Sequence, residues 1–263
     1  MSNITFTGDT HHWYSLFFRV ISYSKSTIMY QSVFESLNDV YNRKYESKIS
    51  VNIPLADISL NAFLYLPQQP VAIVIFSHGT GSSRLSSRNN YAAEILYRNN
   101  MAAILADLLL PKEAAAIQNR FNISLLTDRL KGITKWAVQY PNLKNLPISY
   151  FGASTGAASA INAAADLGDQ IKAVVSRGGR PDLATENALQ SIKCPTLLII
   201  GSLDREVIKL NRKAFQKMKC TKHIEIVHGA SHLLQEPGKL YDVSQLAEDW
   251  FEKYLAESFI VKQ

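Results

Sequence analysis

A mostly parallel α/β sheet of eight strands, with helices on both faces, is what this sequence predicts from about Lys48 onward. Three observations predict it. Short apolar runs of strand type alternate with segments of helical periodicity. The later strand runs are continuous β-branched and leucine stretches, as expected for strands covered on both faces. Residues 148–156, ISYFGASTG, pass from a strand through a sharp turn into the alanine-rich segment AASAINAAADL.

The predicted strands are 49–53, 58–65, 72–77, 102–106, 148–151, 173–176, 196–200 and 224–227. The first two are joined by a short link and are expected to form an antiparallel edge. The remainder alternate with helices, which implies parallel pairing through right-handed crossovers. A helix at 206–218 places Val207, Leu210, Ala214 and Met218 on one face, and one at 241–255 does so with Leu246, Trp250 and Tyr254. Residues 1–46 read differently. They are rich in Ser, Asn and Tyr, with imperfect helical periodicity at Val33, Phe34, Leu37, Val40 and Tyr41. They are expected to be an accessory segment with a helix near 32–43, leaving 47–263 as the principal domain. No internal repeat or low-complexity tract is present.

Composition narrows the function. Of 263 residues, 47% are hydrophobic and 19% charged, which suits one large globular core. The net charge is +6, but Lys and Arg are scattered and no recognition motif accompanies them, so nucleic-acid binding is not expected. No apolar run approaches the ~20 residues of a membrane span. The aromatic-rich stretch 13–30 is interrupted by Arg19 and Lys25 and has no leader-like basic start or cleavage site. The two cysteines, Cys194 and Cys220, are too few for a disulfide framework and read as small buried thiols of a cytoplasmic protein.

The chemistry is carried by Gly-Ala-Ser-Thr-Gly at 152–156. In the order strand, tight turn, helix, this G-x-S-x-G pattern lifts the Ser154 hydroxyl above a sheet edge. A serine hydroxyl needs a base to take its proton and a carboxylate to orient that base. On such a sheet the order is serine, acid, histidine. The strand 196–200 ends in Gly-Ser-Leu-Asp, which puts Asp204 just past its carboxyl edge. HGASHLLQEPG follows the next strand and carries His232. The competing readings are helix-capping roles for Ser154 and Asp204, Asp182 as the acid, and His228 as the base. An oxyanion site is expected from the glycine-rich turn SHGTGSS at 77–83, with the backbone N–H groups of Thr80 and Thr155 as donors and His78 as a brace of the loop. This chemistry needs no cofactor and no metal.

With these pieces in view, residues 48–255 resemble an α/β-hydrolase of the dienelactone-hydrolase-like group. The matching segments are SHGTGSSRLSSRN, FGASTGAA, SRGGRPDL, LLIIGSLDREV and GASHLLQEPG. The similarity extends to bacterial hydrolase domains sometimes fused behind a phosphoribosyltransferase domain, and no such partner domain is expected in this chain. The resemblance implies an α/β-hydrolase fold, a triad of Ser154, Asp204 and His232, and Thr80 and Thr155 as oxyanion donors. Dienelactone hydrolase proper uses a cysteine nucleophile, so the serine here withdraws the dienelactone substrate from the expectation.

The expected activity is cleavage of a carboxylic ester, thioester or lactone through an acyl-enzyme. Acyl transfer, amide or peptide cleavage, and a non-catalytic binding role on the same fold are the alternatives. Arg84 and Arg88 follow the oxyanion turn, and Arg177 and Arg180 follow a strand, all at the carboxyl edge. Arg84, Arg177 and Arg180 are therefore candidates to bind an anionic group on a small-molecule substrate. The competing reading is loop bracing, for instance Arg180 to Asp182. Only residues 177–194 are available for an insertion before the next strand, too few for a large cap domain.

Overall fold

The computed structural model describes residues 48–260. The accessory segment 1–46 and its expected helix near 32–43 lie outside the described residues. The sheet has eight strands in the order β1-β2-β4-β3-β5-β6-β7-β8. β1 (Lys48–Leu55) and β2 (Ile58–Tyr65) form the expected antiparallel hairpin. β2 then pairs antiparallel with β4 (Met101–Ala106), so the antiparallel part of the sheet is one strand-pairing wider than the hairpin alone. β3 (Ala72–Ser77), β5 (Ile148–Ala153), β6 (Ile171–Arg177), β7 (Thr196–Gly201) and β8 (Lys222–Val227) continue it in parallel.

Alternation along the strands builds a core on each face. Ile73 and Ile75 of β3 join Tyr150, Val174 and Leu198 on one face. That face is covered by α2 (Ile123–Ala137), α3 (Gly156–Leu167), α4 (Glu186–Ser191) and α5 (Arg205–Lys217). Val74, Phe76, Phe151, Val175 and Ile199 face the other way, under α1 (Ser87–Arg98) and α6 (Lys239–Ile260). There Phe76 and Phe151 stack with ring centroids 4.7 Å apart.

From β3 the chain crosses to β4 on one side and later returns to β5 on the other. The carboxyl ends of β3 and β5 therefore meet at a switch point, with Ser77 opposite Gly152. This brings the 77–83 turn beside Ser154. The start of α3 is drawn tightly into the junction. A Cβ on Gly156 would lie 2.1 Å from the Ser77 carbonyl oxygen, so only glycine permits the approach. Ser159 Oγ donates to Gly156 O at 3.0 Å and lies 2.7 Å from Ser77 Oγ, which ties α3 to β3.

β6 and β7 are separated only by a 3-10 turn, Pro181–Leu183, and by α4, so no cap domain is inserted there. A segment not anticipated from the sequence lies elsewhere. After β4, two single helical turns (Pro111–Ala115 and Ile117–Arg120) form a strap that reaches the 77–83 turn. Among the described residues no helix is long and apolar enough to cross a membrane.

Gly156→Ala is expected to lower stability by at least ~2 kcal/mol, because backbone on both sides must move to admit the methyl group. Urea denaturation checks this, and an unchanged midpoint would contradict the close approach.

Candidate active site

Ser154 sits between β5 and α3 with φ of +51°, a left-handed conformation that is strained for a side chain bearing a Cβ. Three backbone hydrogen bonds hold it there. Its N–H donates to Arg177 O at 3.3 Å, and its carbonyl accepts from Arg180 N–H at 2.9 Å and Ala157 N–H at 3.1 Å. The end of β6 thus fixes the turn, and Ser154 is half-buried there.

The same end of β6 touches the histidine loop. A Cβ on Gly178 would lie 2.7 Å from the His232 carbonyl oxygen. His232 Nδ1 is 2.6 Å from Asp204 Oδ2. The Asp204 side chain is 16% exposed and that of His232 is 42% exposed, so the pair presents the imidazole outward and the carboxylate inward. Asp204 occupies the N-cap position of α5, yet its side chain makes no capping bond. Its carboxylate is turned to the histidine instead. The loops carrying the two residues are cross-linked: Leu203 N–H donates to Ala230 O at 3.0 Å and Gly229 N–H to Ser202 Oγ at 2.8 Å. A neutral imidazole bonded to a carboxylate through Nδ1–H leaves Nε2 as its basic lone pair.

The competing residues lie apart from this arrangement. Asp182 accepts two bonds of 2.8 Å from Arg180. His228 is exposed and has no carboxylate partner among the described residues.

The 77–83 turn is organised by His78. Leu108 N–H donates to His78 Nε2 at 3.0 Å, so the ring proton is on Nδ1 and points to Gly79 O, also at 3.0 Å. Ser82 N–H donates to the same carbonyl. The Gly79–Thr80 peptide is thereby fixed, and Thr80 N–H donates to Thr155 Oγ1 at 2.9 Å. Thr80 Oγ1 donates to Arg120 O, so the Thr155 hydroxyl must donate to Thr80 Oγ1. The expected donor Thr80 N–H is therefore already bonded to a side chain. By contrast, the N–H groups of Gly79 and of Thr155, which is 4% exposed, have no acceptor among the described residues. Gly79 also packs closely on Ser154, since a Cβ on it would lie 2.7 Å from Ser154 Cβ.

Beside this turn is a cavity of about 290 Å³, lined on its apolar side by Leu109, Pro111, Ala114 and Leu126. The strap that shapes it was not legible as a site element. Its link to Thr80 is the carbonyl of Arg120, which leaves no side-chain signature in the sequence.

The three candidate arginines separate. Arg84 is ion-paired with Asp107, whose other oxygen also accepts Arg84 N–H at 2.8 Å. Arg180 binds Asp182 through Nε and Nη2. Both brace loops. Arg177 is 8% exposed and has no carboxylate partner among the described residues; its Nη2 donates to Asn89 Oδ1 at 2.9 Å. Burial lowers its pKa to about 10, with the nearby Arg88 charge contributing, so it remains a cation at neutral pH. Among the described residues no cluster of His, Cys, Asp and Glu could hold a metal ion.

The model of the dienelactone hydrolase family matches residues 60–256. The chain is similar to a dienelactone hydrolase of Anabaena variabilis of known structure. The two are 44% identical, with 79% of this chain and 97% of that one covered and a TM-score of 0.76. Est1E of Butyrivibrio proteoclasticus shares the fold at 17% identity, covering 79% of this chain and 99% of that one with a TM-score of 0.67. A putative phosphoribosyl transferase of Mycobacterium tuberculosis is 45% identical over 205 residues, which are 78% of this chain and 46% of that protein. The chain thus spans about half the length of the curated relatives it matches.

Burial holds the His78 pKa below its ordinary value of 6.5, against the raising effects of the Gly79 bond and Asp107. The unfolded chain then binds a proton that the folded protein refuses. Stability is complete above pH 6.5 and is lost as pH falls below it. In urea titrations between pH 7.5 and 5 (a window set by ~1 unit on either side of the ordinary histidine value), His78→Leu is expected to be less stable but to show a shallower acid decline. Equal slopes in the two proteins would contradict the neutral brace.

Proposed function

The chain belongs to the dienelactone hydrolase family, and from that premise we propose that it is a serine hydrolase. Its substrate is a carboxylic ester, thioester or lactone, opened through an acyl-enzyme on Ser154. We read residues 47–263 as the hydrolase domain. The single observation that carries the mechanism is the 2.6 Å contact between His232 Nδ1 and Asp204 Oδ2, on a sheet edge that also carries a strained Ser154.

Asp204 fixes the imidazole with its proton on Nδ1. His232 Nε2 takes the Ser154 hydroxyl proton as Oγ forms a bond to the acyl carbon. The carbonyl π electrons move to oxygen, and the N–H groups of Thr155 and Gly79 receive that charge. Thr80 acts through its bond to Thr155 Oγ1, which locks the turn, rather than as a donor to the oxyanion. The tetrahedral species collapses as His232 returns the proton to the leaving alcohol or thiol. Water then enters, gives its proton to Nε2 and displaces Ser154 Oγ, which recovers a proton as the carboxylic acid leaves. Nothing must reorganise in the turn when charge develops, because His78 and Ser82 already hold it.

Ser154→Ala is expected to lose labelling by a fluorophosphonate probe and to lower kcat for p-nitrophenyl acetate by at least ~10³-fold. Asp204→Asn, which leaves the histidine without a charged partner, is expected to cost ~10²–10⁴ in kcat with little change in KM. Probe labelling and steady-state kinetics check both. Retained turnover in Ser154→Ala would remove the assignment.

A further inference from the structure

Thr80 lies between two glycines, Gly79 and Gly81, where the backbone is otherwise free to turn. Its N–H and its hydroxyl are nevertheless both fastened. The N–H donates to Thr155 Oγ1 at 2.9 Å, the two threonine hydroxyls are 3.0 Å apart, and Thr80 Oγ1 donates to Arg120 O at 3.0 Å. Thr155 occupies the N-cap position of α3, where a threonine hydroxyl ordinarily accepts from a backbone N–H of the first turn. It makes no such bond. Its hydroxyl is committed to Thr80 instead, accepting from the N–H and donating to Oγ1.

The far end of this chain of bonds is pinned in turn. Arg120 Nε donates to Ala114 O at 2.6 Å, which joins the two helical turns of the strap. Glu113 Oε2 accepts from Leu110 N–H at 2.8 Å, and Glu113 Oε1 accepts from Arg129 Nη2 of α2 at 2.8 Å. Neither turn of the strap contains a buried residue, and helices this short do not hold themselves. The bonds of Glu113 and Arg120 therefore set where the strap lies. Polar contacts run from α2 through Glu113, the strap and Thr80 to the residue that follows Ser154.

This run of contacts bears on the geometry of the oxyanion site. The Gly79–Thr80 peptide is held on its carbonyl side by His78 and Ser82, and on its N–H side by Thr155. Of the two N–H groups read as oxyanion donors, one belongs to the residue before Thr80 and the other to Thr155 itself. The bonds between Thr80 and Thr155 therefore set the separation of the two donors. Such a site works by having its dipoles placed before charge develops. We propose that the strap, pinned to α2 through Glu113, is a positioning element that holds the two oxyanion donors at their working separation through the hydroxyls of Thr80 and Thr155. The inference rests on the hydrolase reading of Ser154. Glu113, Thr80 and the Thr155 hydroxyl are positioning groups, acting through the backbone they hold.

Steady-state kinetics with p-nitrophenyl acetate tests it, since acylation and deacylation both pass through an oxyanion. Thr155→Val, close in shape but without the hydroxyl, is expected to lower kcat by ~10–100-fold with KM within about twofold of the parent. Thr155→Ser keeps the hydroxyl and is expected to stay within about threefold of the parent in kcat. Glu113→Ala is expected to lower kcat by ~3-fold or more, again with KM within about twofold. The double variant then tests the connection. If the strap acts through the hydroxyls, Glu113→Ala has no further effect once Thr155→Val has cut the link. Losses that multiply would overturn the inference. So would an unchanged kcat in Thr155→Val or in Glu113→Ala, a loss that falls on KM, or a Thr155→Ser as impaired as Thr155→Val. If Thr155→Val does not fold, Thr80→Val takes its place: it removes the bond to the strap at a half-buried residue and is expected to abolish the effect of Glu113→Ala in the same way. Failure of the hydrolase reading is recognised separately. A parent that neither turns over ester nor labels with a fluorophosphonate removes both readings, whereas an active parent matched by Thr155→Val removes this one alone.

Discussion

The left-handed backbone at Ser154 is the constraint on which the site depends. A serine at φ of +51° resists that conformation, and the resistance is met by backbone bonds from Arg177, Arg180 and Ala157. The bonds to Arg177 and Arg180 exist only because β5 and β6 run in parallel register and end together. The helix start must also press against β3, which the missing side chain of Gly156 allows. Strand pairing, helix packing and the left-handed serine are thus one construction. Loosening the strand pairing or the helix packing would release the serine from its strained conformation.

Two histidines show how burial divides roles on one sheet edge. His78 is enclosed, neutral and bonded at both ring nitrogens, so it can only hold a loop. His232 is bonded at Nδ1 to a carboxylate and its side chain is 42% exposed, which suits the proton-transfer role proposed for it. The arginines divide in the same manner. Arg84 and Arg180 have their charges met by Asp107 and Asp182, whereas Arg177 is buried with an amide for its polar partner and a second guanidinium nearby. The Arg177 guanidinium also lies over the Phe151 ring, 5.9 Å from its centroid.

The sequence was most legible where burial imposes a pattern. All eight predicted strands occur: the central ones are covered on both faces and read as unbroken apolar runs, whereas β1, β2 and β8 are only partly buried. β5 extends two residues beyond the predicted end, since Gly152 and Ala153 are small yet still pair with β6. The contact between Asp204 and His232 was legible because each follows a strand whose carboxyl end must reach the same edge. The state of the Thr80 N–H was not legible. It depends on the orientation of one peptide, which is set by His78 and Ser82 and captured by a threonine hydroxyl distant in sequence. Nor could the pattern SRGGRPDL say which arginine is buried. Arg177 and Arg180 look alike in the chain, and the difference is that β6 carries the first into the core while the second has Asp182 within reach. The strap after β4 escaped for a related reason, as it meets the site through a backbone carbonyl.

The most direct measurement is the covalent state of the protein during turnover. Mixing with p-nitrophenyl acetate, quenching in acid within the first turnovers and mapping peptides by mass spectrometry should show one acetyl group, on the peptide containing Ser154. The same peptide should be unmodified once substrate is exhausted, as hydrolysis returns the free hydroxyl. Ester cleavage with no adduct on Ser154, or with the acetyl group on another residue, would contradict the account.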